Sequence, residues 1–270
     1  MDVGTLFGLL LSLLALVASN LAEGGRLGSL LNLGAFTLII GGTLGATTLG
    51  LGFSAIRRIP SLLRQAFTLR ENQREPLLTS LVDLADKARR GGLLSLEQEL
   101  DMEEQDPLLT EGIRLVADGF DEATVRQILG AKITQRQEGH RRGATVFQTM
   151  GGYSPTMGII GTVMGLITVL QKLGGDTSEL GQGIALAFMA TFYGIFFANV
   201  VFLPIAANLR KKGDEDLRHS QAIVEAIIGY QTEEHPMLMQ QRLAALLNVT
   251  ELPGPTNGTV ATKSREEVPL

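Results

Sequence analysis

The chain contains no cysteine and no tryptophan, and only three histidines and three tyrosines in 270 residues. Disulfide staples, thiolate metal sites and cysteine nucleophiles are therefore excluded, and few imidazoles remain for acid–base or metal work. Charge is scarce as well: Asp, Glu, Lys and Arg make up 19% of the residues, where a soluble domain carries about a quarter. With a mean hydropathy of +0.20, the deficit points to a membrane protein. A net charge of −5 without a basic domain excludes a nucleic-acid binder, because neutralising phosphates takes a clustered Lys/Arg surface. No nucleophile, metal-ligand or phosphate-loop constellation stands out, so neither an enzyme nor a bound cofactor or metal is expected. What is present is 45% hydrophobic residues with 32 glycines and 5% aromatics, a mixture suited to helices in close backbone contact.

Four uncharged runs carry that apolar bulk. The first, 3–22, has the roughly 20 residues a helix needs to cross the hydrocarbon layer. Met1-Asp2 supplies an acidic start where a cleaved signal peptide needs a basic one, so this helix is expected to stay. After the turn Glu23-Gly24-Gly25-Arg26 the second run covers 27–56; the third covers 143–171 and the fourth 180–209, joined by the loop 172–179. The expected fold is an all-α integral membrane protein with four transmembrane helices in two hairpins, 1–56 and 143–209. Between spans two and three, 57–142 is too polar for lipid and forms a helical cytoplasmic insert. Arg57, Arg58, Arg141, Arg142, Arg210, Lys211 and Lys212 flank one side, against Arg26 and Lys172 on the other, which puts both termini and the insert in the cytoplasm. Residues 210–249 read as C-terminal helices, with Pro236 restarting a short one, and 250–270 as a disordered tail.

The runs 27–56, 143–171 and 180–209 hold no Asp, Glu, His, Lys or Arg. Ion relays need an ionisable group at membrane depth, so either a partner helix lends the carboxylate, or hydroxyls and carbonyls coordinate alone, or nothing is conducted and the chain is a scaffold. Thr162 in span three, with Thr191, Tyr193 and Asn199 in span four, are the polar positions that could line a path, although a single membrane Thr usually bonds its own i−4 carbonyl. Gly158, Gly161 and Gly165, and Ala187, Ala190, Gly194 and Ala198, form small-residue stripes that mark helix interfaces within or between subunits. Pro155 is read as opening span three, and Pro204 lies near the end of span four; each is a kink or a hinge.

In the insert, Pro76 starts a helical run that Gly91-Gly92 halts, and Ser95 with Gln98 reads as a capping box for the next helix. Arg89 and Arg90 then sit at one helix C-terminus and Glu97 and Glu99 at the following N-terminus, each where the helix dipole favours its sign. Asp106-Pro107 interrupts again, 108–117 forms a third short helix ended by Asp118-Gly119, and Asp121 with Thr124 caps a long one running toward span three.

The segment Ala85-Asp86-Lys87-Ala88-Arg89-Arg90-Gly91-Gly92-Leu93-Leu94-Ser95-Leu96-Glu97 resembles the A-x-x-A-R-x-G-G-x-x-x-L-E signature of MotA/PomA stator proteins. Ser154-Pro155-Thr156-Met157-Gly158-Ile159-Ile160-Gly161-Thr162-Val163-Met164-Gly165-Leu166 is similar to that family's third span, and Ala190-Thr191-Phe192-Tyr193-Gly194 with Asn199 and Pro204-Ile205-Ala206 to its fourth. The resemblance implies a subunit of the flagellar motor in the bacterial inner membrane. Five copies would ring a MotB/PomB-type partner whose single membrane helix carries the ion-binding Asp, and the cargo is H⁺ or Na⁺. It further implies that Arg89, Arg90 and Glu97 engage the rotor switch protein FliG, and that Pro155 and Pro204 are the family's two functional prolines. Position 98 is Gln where some members have a second acid, and Ala190 stands where many sodium-type members have Thr. The rival reading within reach is an ExbB/TolQ-type energiser of envelope processes, against which the fourth span and the Arg89–Glu97 block argue.

Overall fold

The computed structural model describes residues 3–68, 74–97, 106–173 and 177–250. Among these the regular structure is helical throughout. They fall into two compact units, one made of 1–71 and 133–217, the other of 72–132 and 218–270.

The first unit opens with α1 (Val3–Ala22), an uncharged helix. The run 27–56, read as one span, is divided. A single 3₁₀ turn covers Leu27–Leu30, and α2 spans Leu33–Leu51, its first turn capped by the Asn32 side chain accepting from the Ala35 amide at 2.9 Å. Gly52 ends α2 at φ 81°, a left-handed conformation that costs glycine nothing and other residues a steric clash. Two short helices follow, α3 (Phe53–Arg57) and α4 (Ile59–Phe67). The buried stripe of α2 is Ala35, Ile39, Thr43 and Thr47, four-residue spacing that keeps one helix face inward.

In the second unit, α5 (Arg74–Gly91) begins two residues before Pro76, and α6 (Leu94–Glu97) is a single turn. Ser95 lies inside α6 and donates its hydroxyl to the Gly92 carbonyl at 2.6 Å; Gln98, the other half of the expected capping box, and Glu99 lie outside the described residues. α7 (Pro107–Ala117) is capped by Asp106, which accepts from the Leu108 amide at 2.9 Å. Asp121 accepts from the Thr124 hydroxyl at 2.6 Å at the start of the next helix, and that bond holds its carboxyl below the usual range. Gly112 lets α7 close on its neighbours, since a Cβ there would sit 2.1 Å from Ile227 Cδ1. The buried Tyr230 hydroxyl donates to the Leu81 carbonyl at 2.8 Å, and burial raises its pKa. α11 (Pro236–Leu247) contributes Met239, Leu243 and Leu247 to the core.

Two helices are longer than the uncharged runs that announced them. α8 runs unbroken from Glu122 to Gln171, so 143–171 is its C-terminal part and Pro155 lies in its interior rather than at a start. α9 (Thr177–Phe196) passes through a π-helical segment, Phe197–Phe202, into α10 (Leu203–Gln231). The helix therefore does not stop at Arg210-Lys211-Lys212. Proline at position 204 cannot donate to the carbonyl four residues back and would collide with it; the wider π turn immediately before Pro204 is the local relief. Three helical stretches, Leu33–Leu51, Glu122–Gln171 and Leu180–Gln231, are long and apolar enough to cross a membrane, and Phe7–Ala22 is a shorter apolar helix. The tail from 251 onward and the middle of the loop 172–179 lie outside the described residues.

Candidate functional site

Within the first unit, α8 and α9 meet along their small residues. A Cβ on Gly161 would stand 2.4 Å from the Ala190 Cβ, and one on Gly165 2.8 Å from both the Ala187 Cβ and the Gly183 carbonyl oxygen. Gly158 and Gly194 face each other across the same seam, where a Cβ on Gly194 would come within 3.1 Å of the Gly158 Cα. The two stripes thus pack on each other inside one chain. The buried Ser154 hydroxyl, which sequence reasoning passed over beside Pro155, donates to the Gly194 carbonyl at 3.0 Å and pins the seam at one end.

Thr162 and Thr191 meet on this seam. Their hydroxyls are in mutual contact; Thr162 also reaches the Gly158 and Ala187 carbonyls at 3.0 and 3.2 Å, and Thr191 reaches Ala187 at 3.3 Å. Each hydroxyl has one proton to donate, so two protons serve these acceptors and lone pairs on the oxygens remain. Both residues are half-buried. The pair is an uncharged, oxygen-rich spot in an apolar surround, able to accept from a hydronium or to offer oxygens to a cation, and unable to carry a charge of its own.

Tyr193 belongs elsewhere. Two residues past Thr191, it is turned about 200° around the helix, and its hydroxyl donates to the Leu30 carbonyl at 2.5 Å and accepts from the Asn32 amide at 3.1 Å. It latches the turn before α2 onto α9 and packs edge-on against Phe36. Asn199 returns its amide to the Ile195 carbonyl at 2.9 Å. Thr43 and Thr47 on α2 are fully buried; Thr47 bonds the Thr43 carbonyl at 2.7 Å, while the Thr43 hydroxyl has no partner among the described residues. Their shared spacing with Ala35 and Ile39 was the available signal.

A polar cluster binds α4, α8 and α10 to one another. The Asp216 carboxylate, 5% exposed, lies 3.3 Å from His140 Nε2 and 3.6 Å from Arg136 Nε. Lys212 Nζ donates to the Gln65, Ala66 and Thr68 carbonyls at 2.6–2.8 Å, capping the C-terminus of α4 where a cation suits the helix dipole. Among the described residues, no group of metal-ligating side chains forms a site.

In the second unit Arg89 and Arg90 are exposed in the last turn of α5, and Gly92 at φ 76° turns the chain directly into α6, whose last residue is Glu97. The Glu97 side chain lies outside what is described.

The family model of the MotA/TolQ/ExbB proton channel family matches residues 101–222. The chain is 36% identical to the uncharacterised protein YtxD of Bacillus subtilis over 89% of its own length and 87% of that protein's. It is 31% identical to the chemotaxis protein PomA of Vibrio alginolyticus, over 92% and 96% of the two chains. The chain belongs to the MotA/PomA family. Its fold agrees with that placement: the flagellar MotAB stator complex from Bacillus subtilis superposes with a TM-score of 0.81 at 30% identity, covering 88% of this chain and 93% of that one. This member of the MotA/PomA family is a stator subunit of the flagellar motor, and its helices are those of a membrane protein.

Proposed function

We propose that this stator subunit supplies the wall of an ion channel whose titrating carboxylate comes from a MotB/PomB-type partner. The observation that carries the reading is the membrane-length apolar stretches: 33–51, 143–171 and 180–209 contain no Asp, Glu, His, Lys or Arg, while Thr162 and Thr191 offer paired oxygens on the α8–α9 seam. That its solved relatives include MotAB complexes supports it. In this reading α1 also crosses the membrane, as the first of four spans, both termini face the cytoplasm, and the chain sits in the bacterial inner membrane. Five copies ring the partner, and the cargo is H⁺ or Na⁺.

Neutralising a carboxylate in a dry site changes its interaction with the wall by several kcal/mol, enough to bias which subunit it faces. An ion falling through 100 mV releases about 2.3 kcal/mol per charge, so work is done in many small steps. Pro155, inside α8, and Pro204, after the π turn, are where the helices bend. Arg89, Arg90 and Glu97 hand the motion to FliG on the rotor; exposed pairs worth about 0–1 kcal/mol each suit repeated grip and release. An ExbB/TolQ-type energiser or a scaffold would lack that handover. Ion uptake into vesicles holding this subunit with and without its partner tests the reading: flux that needs both chains is expected, and an equal absence of flux in the two samples refutes it.

A further inference from the structure

A cleft of about 680 Å³ opens in the first unit where α2 ends, between α3, α4 and α8. Three guanidiniums, Arg58, Arg141 and Arg142, line it against a single carboxylate, Glu138. Glu138 is taken by Arg142 at 2.8 Å, and the Arg58 and Arg141 side chains make no ion pair among the described residues. The cleft is therefore doubly positive beyond its own pairing. Its remaining wall is largely apolar, with Leu51, Leu62 and Val146, and Ser54 adds a hydroxyl. α4 is held against α8 at its back, where a Cβ on Gly143 would come 2.6 Å from Leu62 Cδ2.

Position gives this combination its meaning. Leu51 is the last residue of a 19-residue apolar helix of membrane-crossing length, so the cleft starts at the depth where lipid chains give way to headgroups. Arginine forks match phosphate oxygens in pairs, and basic pockets beside membrane helices hold anionic headgroups. A free phosphate ion would fill a small part of the volume and leave the apolar wall uncovered. We propose that this cleft binds an anionic phospholipid, its phosphodiester between Arg58 and Arg141 and the start of its acyl chains along Leu51 and Leu62. The bound lipid then ties the junction of α2, α3 and α4 to α8. The inference rests on the chain being a membrane protein and not on ion conduction.

The test uses the full assembly, co-purified with its partner and stripped of lipid in detergent. Phosphatidylglycerol and phosphatidylcholine are offered in separate samples, and a third sample receives phosphatidylcholine with inorganic phosphate; retained molecules are counted by native mass spectrometry. Preferential retention of phosphatidylglycerol is expected. Arg58→Gln with Arg141→Gln should weaken it about thirtyfold, and Glu138→Gln, which removes the one carboxylate, should strengthen it about fivefold. Equal retention of the two lipids, or an unchanged preference in the double variant, overturns the proposal. Inorganic phosphate bound in place of phosphatidylglycerol overturns the lipid assignment, and loss of a co-purifying protein in the double variant, with lipid retention unchanged, overturns it in favour of a protein occupant. Should the double variant fail to fold, Glu138→Gln decides alone, and retention that does not rise refutes the site. No ion flux is read, so failure of the conduction reading is distinguishable from failure here.

Discussion

The α8–α9 seam allows a size-swap experiment whose outcome is set by a few distances. In Gly161→Ala the new Cβ stands 2.4 Å from the Ala190 Cβ and 2.9 Å from Leu38 Cδ2. The first contact is between groups fixed to two helix backbones and cannot be relieved by a rotamer; the second is the end of a flexible side chain and can. Overpacking of this kind costs about 1–3 kcal/mol. Ala190→Gly alone removes a buried methyl and loosens a helix, costing about 1–2 kcal/mol. Together the two changes exchange one methyl for another across the seam, so the double variant should regain most of the loss, with a coupling of about 1–2 kcal/mol between the positions. Gly45→Ala in α2 is the control, because a Cβ there meets nothing within 4 Å; it should be neutral or slightly stabilising. Equilibrium unfolding in mixed detergent micelles, followed by helical circular dichroism, reads all four variants. Additive losses in the double variant, or a cost at Gly45 equal to that at Gly161, would refute the claim that this seam closes within one chain.

Tyr193→Phe should lower the unfolding midpoint by removing both bonds to the turn before α2, about 1 kcal/mol each, while leaving ion flux intact; lost flux at unchanged stability would return Tyr193 to the ion path. Thr162→Val should cut vesicle ion uptake with the assembly still forming, and Thr162→Ser should retain it, so equal flux in all three proteins would remove the hydroxyl pair from the path. Arg89→Glu should abolish swimming, with recovery on reversing a charge on the rotor; normal motility in the single variant counts against a rotor contact. In the second unit, burial raises the Glu225 pKa but the guanidiniums of Arg126 and Arg242 outweigh it, leaving the carboxyl below its ordinary 4.5. A depressed carboxyl stabilises the fold above that ordinary value, and the contribution is lost as pH falls through the lower folded value. Hydrogen exchange of α10 against pH should show this acid-side loss, and Glu225→Gln should flatten it.

The uncharged runs, their arginine flanks and the missing carboxylate were legible because the cost of burying a charge in lipid is charged residue by residue, with no knowledge of neighbours needed. The Arg89–Glu97 corner was legible from Gly91-Gly92, where Gly92 takes the positive φ that ends α5, although the pairs Gly41-Gly42 and Gly151-Gly152 lie inside unbroken helices. Helix extent was not. Asp121 with Thr124 marked the start of the long helix, but nothing local required it to run into 143–171 without a break or the last span to continue past Lys212, and Pro155, read as a start, is tolerated inside α8 because packing against α9 and α10 outweighs one missing hydrogen bond. Likewise the three- and four-residue spacing of Gly158, Gly161, Gly165 and of Ala187, Ala190, Gly194 named two faces without saying that they meet.

Composition and periodicity alone therefore determined that this is a helical membrane protein with small-residue faces and no Asp, Glu, His, Lys or Arg at depth. Only the tertiary structure decided which faces pair, that the Thr162 and Thr191 hydroxyls meet while Tyr193 serves as a latch, and that Asp216 lies buried beside His140 and Arg136. The physical reason is that a helix repeats every 3.6 residues, so sequence spacing specifies a direction around one axis, whereas a contact needs two axes placed against each other by packing spread over the whole chain.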